Sequence, residues 1–316
     1  MEGQGLGSIE TRAGVPVSLV SVTESAALAC GRTIGRGDVE RARETAASAM
    51  LHALELAGVC GRVVLGPRGD SILSPGTTVG RAGDPCLDLG VYPVEGATLV
   101  ARGAPGAISV LVATEPGAFP VLPAVSYAEK LVAGPAARGG LDLDDPLADN
   151  LRRIAFARDV RVADLVVAIL DRPRHRDLIG EVRAAGARIL LLEEGEIAGA
   201  LLAAATGTGV DAMVGIGGLD ETIIAACAVR CLDGEIQARL WPRNDEERLL
   251  AGDELGRVYG VSELAPETLE VAVTGVSGGP LLRGVEFGSQ GAETESLDMS
   301  TRFRRTVRRI KTWHLP

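Results

Sequence analysis

A chain of 316 residues, 46% apolar and 23% charged, can bury a large core and is too apolar to be disordered. Its formal net charge of −10 excludes the broad Lys and Arg footprint of a nucleic-acid binder. No apolar run reaches the ~20 residues of a membrane span, and with 3% aromatics the core must be mainly Ala, Val, Leu and Ile.

Residues 1–15 are Gly-rich and patternless and read as a flexible lead-in. Apolar residues at helical spacing predict a helix from a Thr23 cap to Gly35, and a second from an Asp38 cap to a stop at Gly58. GRVVLG (61–66) predicts a strand, and the Gly, Pro, Ser and Asp of 67–85 predict loop. LDLGVYPVEGAT (87–98) reads as a strand bringing Tyr92, Glu95 and Thr98 to a sheet edge, and AISVLVAT (107–114) as a buried central strand. Strands that follow one another without long helices predict antiparallel pairing here.

LDLDDPLADN (141–150) carries four Asp but lacks the glycine and closing Glu of a calcium loop, so it reads as a turn into a helix. From Leu151 helices and strands alternate: helix 151–158, strand 165–170, helix 176–185, strand 188–193, helices 196–205 and 221–232. This predicts an N-terminal α+β half, 16–140, and a C-terminal α/β half, 141–316, with its sheet covered on both faces. FRRTVRRI (303–310) reads as a solvated strand face. The five cysteines are scattered, and the spacing of Cys227 and Cys231 reads as helix packing rather than metal binding. With no basic leader before an apolar run, the expected location is cytoplasmic, with reduced thiols.

Two turns carry anion chemistry. In DAMVGIGGLDE (211–221), Gly217 and Gly218 lie between a strand and a helix, where backbone N–H groups favour anions. Asp220 and Glu221 oppose a phosphate there unless a cation or a sugar hydroxyl intervenes. In DRPRH (171–175), Arg172 and Arg174 flank Pro173, so two guanidiniums converge at a strand end, and their forks suit phosphate. His175 beside them reads as a hydrogen-bonding residue rather than a base. With three histidines and no GxSxG or CxxC, triad and zinc chemistry find no support.

Over nearly its whole length the chain resembles the class II fructose-1,6-bisphosphatases, the bacterial GlpX family. The resemblance is carried by VTESAALACGRTIGRGD (22–38), LDLGVYPVEGATLVARG (87–103), YAEKLVAGP (127–135) and DPLADNLR (145–152). It continues through ILDRPRH (169–175), GIGGLDETIIAACAVRCLDGEIQARL (215–240), TGVSGGPLLRGV (274–285) and TVRRIKTWH (306–314). It implies the α/β fold of the lithium-sensitive sugar phosphatases, layered α-β-α-β-α, and a homo-oligomer, dimer or tetramer, with an active paralogue as a further partner to consider. It also implies Mg²⁺- or Mn²⁺-dependent removal of the 1-phosphate from fructose 1,6-bisphosphate, with sedoheptulose 1,7-bisphosphate a second substrate in some members.

Residue by residue, the metal side departs from the family pattern Asp-Pro-Ile/Leu-Asp/Glu-Gly-Thr. Here it reads Tyr92, Pro93, Val94, Glu95, Gly96, Ala97, so one acid remains and the water-positioning threonine is an alanine. Thr98 stands one place late and, on a strand, on the other face. Val39 and Arg43 occupy the places of a lysine and an acid ligand, and Gly66, Pro67, Arg68 and Gly69 replace a carboxylate turn. Glu95 and Glu221 are the residual metal ligands, Arg43 and Arg68 add positive charge where the cations would sit, and Tyr92 joins the two acids as a candidate catalytic group. The substrate side matches: Tyr127, Arg172, Arg174, Gly217 and Gly218 fall on positions that hold the distal phosphate and sugar. Glu194 and Glu196 replace a pair of Asp, and Lys130 also matches.

The expectation is a chain that binds a small phosphosugar and has lost the cation-dependent hydrolysis. The alternative is an active bisphosphatase assisted by Asp70, Asp84 or Asp88, or a repurposed phosphosugar enzyme using Tyr92 and Glu95.

Overall fold

The structure is a computed structural model that describes residues 9, 10, 16–69, 71–80, 86–302 and 304–316. Its first elements are β1 (Ile9–Glu10), β2 (Pro16–Val17), α1 (Leu19–Gly31), α2 (Val39–Leu56), β3 (Gly61–Leu65), β4 (Thr78–Val79), β5 (Leu87–Glu95), α3 (Ala97–Arg102) and β6 (Ile108–Thr114). Next come β7 (Tyr127–Ala133), α4 (Leu147–Ala157), β8 (Val166–Leu170), α5 (Arg176–Ala184), β9 (Arg188–Leu192) and α6 (Glu196–Ala204). These lead to β10 (Ala212–Gly218), α7 (Leu219–Cys231), β11 (Glu235–Leu240), α8 (Asp245–Ala251), β12 (Val258–Gly260) and α9 (Val261–Leu264). The chain closes with β13 (Leu269–Gly275), β14 (Glu286–Gly288), β15 (Gly291–Ser300) and β16 (Thr306–His314). This is an α/β protein, as expected. The lead-in expected over 1–15 lies outside the described residues except for Ile9–Glu10, which pairs with Pro16–Val17.

Two compact units divide the chain: Met1–Phe119 with Glu267–Pro316, and Pro120–Pro266. The boundary expected at 140 falls inside the second unit, and 267–316, expected in the C-terminal half, joins the first. The reason is a pairing that no local pattern reveals, since β13 lies antiparallel to β6 from Leu269 opposite Thr114 to Gly275 opposite Ile108.

The sheet of the first unit runs β14-β15-β13-β6-β5-β3-β4, with β16 on the other side of β15. β5 and β6 are antiparallel as expected, whereas β3 and β5 are parallel, and β13 adds an antiparallel neighbour to β6 that was not expected. Its core joins Val22 and Ala26 of α1 and Met50 and Leu54 of α2 to Val63, Leu89, Val91 and Leu111 of the sheet; each such large side chain contributes about 1.5–3 kcal/mol. Asp38 caps α2 as expected, accepting the Arg41 N–H at 2.9 Å. Thr23 is not a cap. α1 begins four residues earlier, because Leu19, Val20 and Val22 are buried, and the Thr23 hydroxyl sits inside the helix against the Val20 carbonyl (3.0 Å) and Thr274 Oγ1 (2.8 Å). The basic run of β16 is a solvated face: Arg308 pairs with Asp298, Arg309 with Glu295 at 3.0 Å, and Lys311 with Glu293 at 2.6 Å.

In the second unit the sheet runs β12-β11-β7-β10-β8-β9. β8, β9 and β10 are parallel, and β7 is antiparallel to both β10 and β11, so β11 runs with the parallel set. Leu151 and Ile154 of α4 and Val182 of α5 pack on Leu131, Val167, Ile169 and Val214. Met213 faces the opposite way, against Gly199 of α6, where a Cβ would come within 3.0 Å of its sulfur. Both faces are therefore covered, as the unbroken apolar strands predict. The Asp-rich stretch is the expected turn, closed by Asn150, which accepts the Asp142 N–H (2.8 Å) and donates to its carbonyl (2.7 Å). No helix among the described residues is long and apolar enough to cross a membrane.

Candidate functional site

Among the described residues, the parallel strands of the second unit all end on one edge of its sheet. β8 runs into Asp171–Arg174, β9 precedes Glu194 and Glu196, β10 ends at Gly218, and β11 leads to Trp241 and Arg243. β7 starts at the same edge, with Tyr127 opposite Gly218. The carboxyl ends of strands in an open α/β sheet are where ligands bind.

Tyr127 is the centre of this edge. The Trp241 N–H donates to the Tyr127 carbonyl at 2.9 Å, and the two rings meet edge to face at 6.4 Å and 82°. Arg174 Cζ stands 5.2 Å from the Tyr127 ring centre, and its Nε and Nη2 both donate to the Ile216 carbonyl, at 3.1 and 2.8 Å. A guanidinium stacked near a tyrosine and tied to a carbonyl is held in one place while keeping its full charge. Arg172, half-buried, donates Nη1 to the Asp171 carbonyl at 3.0 Å. Its strand end and that of Glu194 are neighbours, since Leu170 pairs with Leu192.

His175 is fixed from both sides. The Ile216 N–H donates to Nε2 at 2.8 Å, so Nδ1 carries the proton and donates to the Leu170 carbonyl at 2.7 Å. Burial pushes its pKa below the ordinary 6.5. This neutral imidazole braces the loop that carries Arg174, in line with the hydrogen-bonding role expected of it.

The glycine pair has a specific steric cause. A Cβ on Gly217 would lie 1.8 Å from Glu196 Oε2, and one on Gly218 would lie 1.9 Å from Glu221 Oε2. Glu196 is buried and cannot swing aside: Oε1 is paired with Lys130, itself 2% exposed, and accepts the Thr222 hydroxyl at 3.3 Å. Oε2 accepts the Gly218 N–H at 2.9 Å, so one amide of the turn is already taken by a protein carboxylate. A buried ion pair persists where further hydrogen bonds satisfy its remaining sites, as they do here. Lys130, matched by sequence without a role, thus fixes the turn between β10 and α7.

Sequence reasoning did not single out the strand end after β11. Arg243 Cζ lies 5.5 Å from the same Tyr127 ring. Its backbone N–H donates to Glu247 Oε2 (2.9 Å), and its Nε and Nη2 donate to Oε1 (2.9 and 2.7 Å). Ser126 Oγ also donates to that oxygen, at 2.7 Å. The guanidinium of Arg243, first, and then the two other donors hold the Glu247 carboxyl down to about 2. The signal was legible: Asn244 followed three residues later by Glu247 is a helix-start signature, and Asn244 does cap α8, accepting the Glu247 N–H at 2.8 Å.

Tyr92 and Glu95 belong to the first unit, and both are buried. Tyr92 pairs with Val110 and Glu95 with Ile108, so β5 carries an extra residue between them, and Pro93, which cannot donate to a ladder, sits in that bulge. The strand stops at Glu95 and Gly96 turns the chain with φ 87°. Thr98 lies in α3, not on a strand, so a one-residue shift turns its side chain by about 100° instead of to the opposite face. Arg43 is an exposed residue of α2, paired with Glu40 at 2.8 Å.

The family model described as bacterial fructose-1,6-bisphosphatase, glpX-encoded, matches residues 14–314. The chain belongs to the glpX-encoded fructose-1,6-bisphosphatase family. It is 36% identical over 334 residues to a D-fructose 1,6-bisphosphatase class 2/sedoheptulose 1,7-bisphosphatase of Synechococcus sp. (strain JA-3-3Ab), with 95% of each chain covered. A protein of the same description from Microcystis aeruginosa (strain NIES-843 / IAM M-2473) is 34% identical over 332 residues, again with 95% of each covered.

The glpX-encoded family is one of metal-dependent phosphatases, which makes a divalent cation the implied cofactor. Among the described residues, no group of three or more His, Cys, Asp or Glu side chains is placed to hold a metal ion. Asp70 and Asp84, considered as supplementary acids, lie outside the described residues. Asp88 does not serve Glu95, since seven residues of one strand separate them by roughly 20 Å, and its Oδ2 accepts the Gly117 N–H at 2.7 Å.

Proposed function

We propose that this member of the family binds a small phosphosugar at the strand-end edge of its second unit and has lost cation-dependent hydrolysis. The observation that carries the binding half is the anchored Arg174 guanidinium beside the Tyr127 ring, at the carboxyl ends of parallel strands. The relatives' names point to a fructose or sedoheptulose phosphate as the ligand. In this reading Tyr127 offers a flat face to the sugar, Arg172 and Arg174 take the phosphate, and Glu194 accepts from sugar hydroxyls. Glu196, with both oxygens engaged inside the protein, positions the Gly217–Gly218 turn.

The loss half rests on side-chain chemistry. Tyr92, Ala97, Arg43 and Arg68 stand where the resemblance calls for two acids, a threonine and a carboxylate turn, and arginine cannot ligate Mg²⁺ or Mn²⁺. Removing one electrostatic stabiliser of a transition state costs about 2.7–4 kcal/mol, and several are replaced together here. Glu95 and Glu221 remain as acids without that set, and Tyr92 fills buried space on β5.

Thermal shift and phosphate release test the two halves separately. Fructose 6-phosphate should raise the melting temperature of the wild type, and Arg174→Ala should abolish the rise. With fructose 1,6-bisphosphate and Mn²⁺, phosphate release should stay at background, and turnover at ordinary enzyme rates would overturn the loss of hydrolysis. Light scattering on the same preparation measures the homo-oligomeric state that we attach to this reading.

A further inference from the structure

Arg243 and Arg174 are built alike. Each approaches the Tyr127 ring with its guanidinium, at 5.5 and 5.2 Å, and each commits Nε and Nη2 to a protein acceptor. For Arg174 that acceptor is the Ile216 carbonyl; for Arg243 it is Glu247 Oε1. Neither Nη1 donates to a protein acceptor among the described residues. Two cations are thus brought to one aromatic ring from two different strand ends, those of β8 and β11, with their outer N–H groups left for something else. The Arg243 side chain is 49% exposed, so those N–H groups can reach a ligand.

We propose that Arg243 is a second phosphate-gripping guanidinium of the phosphosugar pocket, oriented for that task by Glu247 and Ser126. This rests on the phosphosugar reading above. Glu247 cancels much of the net charge of Arg243, so its contribution is directional: a fork already ordered in the unbound protein spends little entropy on closing around an anion. The support is itself supported, because Ser126 ties Glu247 to the start of β7 while the Ser126 carbonyl accepts the Leu219 N–H at the head of α7 (3.0 Å). The β7 and α7 ends of the pocket and the Arg243 arm are therefore set by one residue.

The test is calorimetric titration of the full chain with fructose 6-phosphate, with fructose as the phosphate-free control. Arg243→Ala should weaken fructose 6-phosphate about 10- to 100-fold, the range of one charge-assisted hydrogen bond, and leave the response to fructose unchanged. Arg243→Lys keeps the charge but not the fork and should recover part of the loss while melting like the wild type, which covers the case of Arg243→Ala failing to fold. If both variants bind fructose 6-phosphate within twofold of the wild type while Arg174→Ala does not bind, Arg243 only braces α8 and the proposal is overturned, with the phosphosugar reading intact. A wild type that gives no heat with fructose 6-phosphate overturns that reading, and the role of Arg243 with it.

Discussion

The protonation of two side chains follows from who donates to whom. His175 must stay neutral, because a second ring proton would face the Ile216 N–H. Its folded-state pKa lies below the ordinary 6.5, so as pH falls below 6.5 the unfolded chain takes up a proton that the folded chain refuses, and stability declines toward the folded value. Glu247 acts lower. With its carboxyl held at about 2 against an ordinary 4.5, it contributes stability fully above pH 4.5 and loses it as pH falls from 4.5 to about 2. Urea midpoints across this range should show two separate declines. His175→Asn should flatten the upper one and Glu247→Gln the lower; equal slopes in wild type and variants would contradict the assignment.

Elements whose boundaries depend on their own neighbours were legible in the sequence. Asp38 caps α2 because its partner, the Arg41 N–H, is three residues away, and β6 reads as a central strand because its run is apolar nearly throughout, and all seven of its residues are buried. α1 was misplaced for the opposite reason. Thr23 looked like a cap, but its hydroxyl is claimed by Thr274, 251 residues on, and Thr274 in turn meets Ser296 Oγ at 2.8 Å. Such a chain of buried hydroxyls is worth what it would cost to leave its ends unpaired. Thr274→Val should lower stability by about 1–3 kcal/mol, read as a lower urea midpoint at unchanged slope; an unchanged midpoint would mean that the hydroxyls do not depend on one another. The site divided along the same line. Arg172, Arg174 and the glycine pair were legible because each follows an apolar strand directly, whereas the reason for the glycines, the carboxylates of Glu196 and Glu221, appears only once α6 and α7 are packed.

Taken whole, the second unit is an insertion into a hairpin. β6 leaves the first unit and β13 re-enters it as the adjacent antiparallel strand, and the Thr114 hydroxyl donates to the Thr268 carbonyl at 2.7 Å across a separation of 154 residues. An insertion whose ends meet is a natural candidate for independent folding. Residues 120–266 expressed alone should melt cooperatively and keep the thermal response to fructose 6-phosphate, while the chain with Glu115–Glu267 replaced by a short turn should keep the circular dichroism of its sheet. A fragment without a cooperative transition would show that the two units share one folding event.

That arrangement also orders events at the ribosome. Synthesis proceeds at about 5–20 residues per second, so β6 waits on the order of ten seconds, while the inserted unit is made, before its partner strand exists. During that interval ISVLVAT, fully buried in the finished protein, carries an open apolar edge of the kind that recruits foreign strands. The vulnerable state of this protein is then a nascent one, and its soluble yield is governed by how that edge is shielded during translation.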